Sequence, residues 1–317
     1  MALFPRAQWL WPPRRPRPTS TVVPRPDRGR SSRGRGRIAT VAALITVTAG
    51  IQLLGPAAGA SAPVTPNPNP NGPTIVSGPV THPGQDHMGS TIAAHEGGGA
   101  TTLAAPGGLP GLDVSSWQGN VNWSSVKANG AVFAVVKATE GTGYTNPNFS
   151  QQYVGSYNVG MVRGAYHFAL PDRSSGAAQA NYLADHGGAW SADNQTLPAT
   201  LDIEYNPYGA TCYGLSQGGM VNWIADFINT YHARTSRWAI IYTTTDWWTT
   251  CTGNYPGFAN NNPLWIARYS SSVGTLPAGW GFYTFWQWAN SGVFPGDQDV
   301  FNGSMARLLA LANNTPA

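Results

Sequence analysis

The 317-residue chain carries 18 Lys+Arg against 14 Asp+Glu, and charged residues make up only 10% of it, a composition foreign to coiled coils and charge-rich disordered chains that leaves a globular protein. Ten of the basic residues fall between Arg6 and Arg37, with Asp27 the only acid among them, so residues 38–317 hold eight basic and thirteen acidic side chains. Eight scattered cations form no basic stripe, which argues against nucleic acid as a partner.

After Arg37 comes the apolar run Ile38–Leu54, then Gly55-Pro56-Ala57-Ala58-Gly59-Ala60-Ser61-Ala62. Positive region, hydrophobic region and small-residue cleavage site follow in the order of an export signal, which assigns residues 1–60 to export and the rest to the cell exterior as a secreted protein. Cleavage after Ala60 fits better than after Ala62, because Pro63 would follow the second bond. A single membrane anchor is the alternative, since the run is near the roughly 17-residue lower limit for spanning. No anchoring is expected once the signal is removed. Two cysteines, Cys212 and Cys251, remain in the exported portion, and an even number in an oxidising setting points to one disulfide, with two free thiols as the alternative.

Residues 61–108 are rich in Pro, Asn, Gly and Thr, as in Pro63-Val64-Thr65-Pro66-Asn67-Pro68-Asn69-Pro70. Such a composition buries too little apolar area to offset chain ordering and reads as a disordered, extended tether. Met88–Glu96 is less biased, and a short helix against the following domain stays open there.

From Leu109 onward, short β-branched and aromatic runs alternate with helical stretches, the mark of an α/β architecture. Strands are predicted at Gly111–Ser115, Val132–Ala138, Val162–Phe168, Ala199–Glu204, Trp238–Thr243, Leu264–Ala267, Tyr283–Trp288 and Gln298–Phe301. Helices are predicted at Trp123–Ala128, Phe149–Tyr157, Ala177–His186, Gly218–His232 and Met305–Ala312. Eight strands within residues 109–317 fit a single catalytic domain built as a small, modified TIM-like (β/α) barrel. A doubly wound open sheet is the runner-up, but no G-x-G-x-x-G follows the first strand.

The segment richest in chemistry is Leu197-Pro198-Ala199-Thr200-Leu201-Asp202-Ile203-Glu204-Tyr205, an apolar strand ending in two carboxylates. Residues two apart share a strand face, so Asp202 and Glu204 have Cα atoms about 6.6 Å apart and point the same way. Two acids so close resist ionising together, and one keeps its proton. Glycosidases need such a pair: one acid to protonate a leaving oxygen and one carboxylate to stabilise positive charge. Asp113, in the first predicted strand, and Asp297, just before the last, join this pair if the barrel closes, because its first and last strands are then neighbours. Each taken alone is also compatible with a cap or turn.

These residues carry a resemblance. Asp113-Val114-Ser115 with Trp117-Gln118-Gly119, Lys137-Ala138-Thr139-Glu140-Gly141, Gly164-Ala165-Tyr166-His167-Phe168 and Asp202-Ile203-Glu204 are its first strings. Ile241-Tyr242-Thr243 with Trp247-Trp248, Leu264-Trp265-Ile266-Ala267-Arg268-Tyr269, Phe285-Trp286-Gln287-Trp288, and Asp297 ahead of Val300-Phe301-Asn302-Gly303 complete them. In this order, across Leu109–Ala312, the chain resembles the Chalaropsis-type lysozymes of glycoside hydrolase family 25. The resemblance implies a barrel that hydrolyses the β-1,4 bond between N-acetylmuramic acid and N-acetylglucosamine in peptidoglycan glycan strands. It further implies Glu204 as general acid/base, Asp202 as its partner, and Asp113 and Asp297 as acids that shape the site's charge. Whether Asp202 attacks C1 or orients the substrate's acetamido group stays open, with the second reading preferred. Asp299 departs from the pattern, standing where an amide is expected.

Sugar rings stack their C–H faces on aromatic rings. Tyr166, Tyr205, Tyr242, Trp265, Tyr269 and Trp288, at or near predicted strand ends, are therefore candidate substrate contacts together with Gln287, and packing is the competing role for each aromatic. His167 reads as a strand-end hydrogen-bonding residue, and Lys137 with Glu140 as a structural ion pair. No H-E-x-x-H, Cys/His cluster, P-loop or G-x-S-x-G string occurs, so neither metal nor cofactor is expected. A monomer is expected. Two other functions stay open: a chitinase-like or endo-acting N-acetylglucosaminidase on the same framework, and a glycan-binding module without turnover.

Overall fold

A computed structural model describes residues 86–98 and 104–316. The export region and the remainder of the tether lie outside the described residues. β1 (Leu109–Val114), β2 (Phe133–Glu140), β4 (Val162–Phe168), β5 (Thr200–Asp202), β6 (Ile240–Thr243), β7 (Leu264–Ala267), β8 (Phe285–Ala289) and β9 (Asp297–Phe301) form a closed barrel. The two-residue β3 (Tyr144–Thr145) pairs antiparallel on the end of β2. Closure comes from β1, which pairs parallel with β2 and antiparallel with β9, and it excludes the open doubly wound sheet.

The barrel is modified at its last strand. β9 runs antiparallel to both β8 and β1, because only a short loop joins β8 to β9 and leaves no room for a crossover helix. The start of β9 therefore stands beside the C-terminal ends of the parallel strands. Asp297, expected just ahead of this strand, is its first residue and sits opposite Asp113.

Strand alternation sorts side chains into two layers. Phe133, Val135, Tyr166, Ile240, Tyr242, Trp265, Phe285 and Phe301 fill the interior. Leu112, Val114, Ala134 and Val136 face outward against α2 (Trp123–Ala128) and α3 (Phe149–Asn158). A second outer layer packs against α4 (Gly176–Leu183), α5 (Gln217–Thr235) and α6 (Thr245–Thr252). Gly111 is required inside the barrel, since a Cβ there would lie 2.4 Å from the Phe133 ring.

The long helix shows why the sequence folds this way. Ser216 accepts the N–H of Gly219, and Met220, Trp223, Ile224, Phe227, Ile228 and Tyr231 recur at three- and four-residue steps on the buried face of α5. The predicted helix at Ala177–His186 ends earlier, at Leu183, and continues as one wide turn with Gly187 at φ 105°. At the barrel floor, α7 (Met305–Asn313) inserts Leu308 and Ala312 into the interior cluster.

Over residues 86–98 the alternative left open for Met88–Glu96, a short helix against the domain, is the one the structure takes. These residues lie over the opposite, upper end of the barrel, and Ile92–Glu96 forms the short helix α1. Met88 and Ile92 are buried at 0% and 1% exposure within the interior cluster. Its polar composition hid the fact that the few apolar side chains it has find a preformed apolar site.

Candidate active site

Five carboxyls converge at the upper end of the barrel: Asp113 from β1, Asp202 from β5, Glu204 just beyond it, and Asp297 and Asp299 from β9. All are 1–2% exposed. β5 is shorter than expected and ends at Asp202, but Ile203 N–H still donates to Tyr242 O at 3.1 Å, so the extended path carries Glu204 onto the same face.

Burial dominates their chemistry. It pushes Glu204 up to about 8, against the lowering effect of the N–H of Gly89 and of the Asp202 side chain. It pushes Asp202 well above the usual carboxylate range, and the neighbouring charge of Glu204 adds to this. Desolvation raises Asp113 to about 7, and burial followed by repulsion from Asp113 raises Asp297 and Asp299 well up. The nearby cation, Lys137 Nζ, is committed to Glu140 Oε2 at 2.5 Å as the predicted ion pair. So many carboxyls around so little positive charge cannot all ionise at neutral pH, and Asp202 and Glu204 share a proton across their contact.

Gln287 organises one half of the site. Its Nε2 donates to Asp113 Oδ2 at 2.8 Å and Asp297 Oδ2 at 3.0 Å, while its Oε1 accepts from Tyr242 at 2.6 Å and lies 3.2 Å from the Tyr269 hydroxyl. Neither oxygen of Asp202 receives an N–H or hydroxyl donor from the protein; its partner is the adjacent Glu204 carboxyl. A proton-bearing acid next to a carboxyl with unused acceptor capacity suits protonation of a leaving oxygen and stabilisation of the cation left behind.

The structure gathers Asp113, Asp202, Glu204, Asp297, Tyr166, Tyr242, Tyr269 and Gln287 at this end. Trp265 is interior but fully buried, edge-on to Tyr242 with ring centroids 5.7 Å apart. Trp288 stands apart: alternation along β8 sends Gln287 inward and Trp288 into the outer layer. His167 is buried between Thr139 (2.7 Å) and Gln179 (2.8 Å), and burial lowers it to about 4, so it is a neutral bridging residue. Cys212 and Cys251 are disulfide-bonded, which ties the loop after β5 to α6. Among the described residues no group of His, Cys, Asp and Glu is arranged to hold a metal ion.

Nothing in the sequence marks Tyr208, whose hydroxyl lies 2.6 Å from Glu140 Oε1. Tyr205, one of the strand-end aromatics, has its hydroxyl 2.8 Å from Asp246 Oδ2. Nor does the sequence mark residues 86–98 as meeting this site.

A closed β/α barrel with paired carboxyls on one strand and further acids at the same rim defines a barrel glycoside hydrolase. The chain belongs to the glycosyl hydrolases family 25, whose model matches residues 112–297. It is 52% identical over 244 residues to Lysozyme M1 of Streptomyces globisporus, across 74% of this chain and 83% of that one. It is 47% identical over 208 residues to the N,O-diacetylmuramidase of Chalaropsis sp, across 64% of this chain and 99% of that one. The crystal structure of the bacterial lysozyme from Streptomyces coelicolor superposes with a TM-score of 0.65 at 54% identity, covering 67% of this chain and all of that one.

Proposed function

We propose that this enzyme acts outside the cell as a muramidase, hydrolysing the β-1,4 bond between N-acetylmuramic acid and N-acetylglucosamine in bacterial peptidoglycan. The observation that carries the reading is the Asp202–Glu204 pair, buried together at the upper end of the barrel with Glu204 still protonated near neutrality. The names of the relatives, a lysozyme and an N,O-diacetylmuramidase, support it, and the leader over residues 1–60 supports export.

In this mechanism Glu204 gives its proton to the glycosidic oxygen as the C1–O bond breaks. The carbonyl oxygen of the substrate's own acetamido group bonds to C1, and Asp202, whose oxygens lack other donors, accepts the acetamido N–H and balances the positive charge. Glu204 then takes a proton from water as that water attacks C1, the acetamido bond to C1 opens, and the anomeric configuration is retained. Asp113 and Asp297, held by Gln287, keep the site acidic. Tyr166, Tyr242 and Tyr269 border the sugar path.

The test is product analysis after digestion of purified peptidoglycan with residues 104–317, the new reducing ends being converted to sugar alcohols with borohydride. The alcohol of N-acetylmuramic acid is expected. The alcohol of N-acetylglucosamine would assign the chain to the glucosaminidase class, and no new reducing ends would make it a binding module.

A further inference from the structure

Residues 86–98 occupy the place where a sugar would bind. The N–H of Gly89 donates to Glu204 Oε1 at 2.6 Å and the hydroxyl of Thr91 donates to Oε2 at 3.3 Å, so the proposed proton carrier has both oxygens engaged. The N–H of Met88 donates to the Tyr166 hydroxyl at 3.2 Å, and Gly89 O accepts from Tyr269 at 3.0 Å. Four of the residues assigned to the reaction and its substrate thus hold backbone of this segment, counting the 3.4 Å contact from Gln287 Nε2 to Met88 O. The chain is anchored on either side. Lys137 donates to Asp86 O, and the His95 ring stacks on Tyr205 with centroids 4.0 Å apart and planes 3° apart.

The fit depends on glycine. Gly89 has φ 81°, and a Cβ there would lie 2.3 Å from the Tyr269 hydroxyl, 2.5 Å from Gln287 Oε1 and 2.9 Å from the Tyr242 hydroxyl. A segment that lay on the rim by chance would have no need of a residue without a side chain at its deepest point. The match to Lysozyme M1 spans 74% of this chain, whereas the barrel domain alone is about two-thirds of it, so that match extends upstream across this segment. The Streptomyces coelicolor structure, matched along its whole length by 67% of this chain, shows that the barrel domain folds on its own.

We propose that residues 86–98 are a built-in inhibitor of the catalytic cleft, and that the enzyme hydrolyses peptidoglycan only after this segment is displaced or cut away from the barrel. The proposal rests on the muramidase reading above. Residues 99–108, Gly99-Ala100-Thr101-Thr102-Leu103-Ala104-Ala105-Pro106-Gly107-Gly108, join the inhibitor to β1. Tethering supplies an effective concentration in the millimolar range, so a segment that binds only weakly as a free peptide still fills the cleft while attached. Cutting within 99–103 removes that advantage, and the glycan can then compete for Glu204.

The test uses residues 61–317 with a specific protease site placed within 99–103. Lysis of purified peptidoglycan is measured intact, and again after cutting and buffer exchange. Cutting is expected to raise the rate at least about tenfold. A synthetic peptide of residues 84–98 is expected to inhibit the cut enzyme in competition with the wall. Gly89→Val is expected to activate the uncut chain, because it forces the segment out and leaves the barrel untouched. Equal rates before and after cutting, with no inhibition by millimolar peptide, would overturn the inhibitor proposal and leave the muramidase reading standing. Absence of lysis both before and after cutting would overturn the muramidase reading and this proposal with it.

Discussion

Asp113 and Asp297 sit directly opposite one another across β1 and β9, and a single amide, that of Gln287, donates to both at 2.8 and 3.0 Å. Replacing that amide by an isosteric apolar group, Gln287→Leu, leaves two facing carboxyls without a donor between them. Hydrogen bonds favour the charged form, so their loss raises both pKa values further. A carboxyl raised in the folded state contributes stability at low pH that is lost as pH rises through its folded pKa, about 7 for Asp113. Thermal melts should show a cost of about 2 kcal/mol that is larger at pH 8 than at pH 5. An equal cost at both pH values would show that Gln287 does not control these acids.

Asp299 supplies the opposite case. Its carboxyl shares a hydrogen bond with that of Asp113, and burial, with repulsion from Asp113 and Asp297, raises it well above its ordinary range. Folding therefore requires it to keep a proton, and alkaline conditions destabilise the native state. Asp299→Asn removes the titration, and should raise the melting temperature at pH 8–9 with little change at pH 4. A variant that melts lower at every pH would mean the acid is needed for packing.

His167 is held neutral by burial, at about 4 against an unfolded value near 6.5. A group with a depressed folded pKa gives stability that is present above the unfolded value and lost as pH falls through the folded one, amounting to about 3 kcal/mol between pH 6.5 and 4. In His167→Gln, which keeps polar atoms for Thr139 and Gln179, the acid dependence of stability over that window should flatten. Wall lysis at pH 6 should change by less than about tenfold, in contrast with the loss expected from a proton carrier. A thousandfold drop would move His167 into the reaction.

The Cys212–Cys251 bond closes a loop of sequence separation 39, worth on the order of 3–4 kcal/mol in the chain-entropy model. The double variant Cys212→Ala, Cys251→Ala should melt about 10 °C lower and lyse walls normally at 25 °C. Activity lost at 25 °C with the fold intact would show that the bond positions Tyr205 and Glu204 as well as stabilising the loop.

Much of this site is legible in the sequence, because parallel barrel strands are buried on both faces and stand out as apolar runs. Val162–Phe168 and Leu264–Ala267 were predicted to the residue. Closure was legible from eight strands in one short domain, and it brings Asp113 and Asp297 together because the first and last strands are then neighbours. The helix Thr245–Thr252 was not, as its Trp and Thr residues have poor helix propensity; it forms because Thr244 caps Trp247 N–H and both Trp247 and Trp248 are fully buried. Aromatic content at a strand end does not tell which face a side chain takes, and Trp288, next to the inward Gln287 on β8, packs in the outer layer. Residues 86–98 were legible only as an open possibility of a short helix at Met88–Glu96, and their place on the cleft was not legible at all. Local composition reports whether a segment can fold by itself, and this one takes its structure from the cleft it fills.

The account depends most on Glu204 as the group that moves the proton. Glu204→Gln in residues 104–317 keeps the shape and removes the acid, and lysis of purified peptidoglycan should fall at least about a thousandfold while the variant still binds the glycan and melts as the parent does. Lysis within tenfold of the parent, by a folded variant, would contradict the central claim.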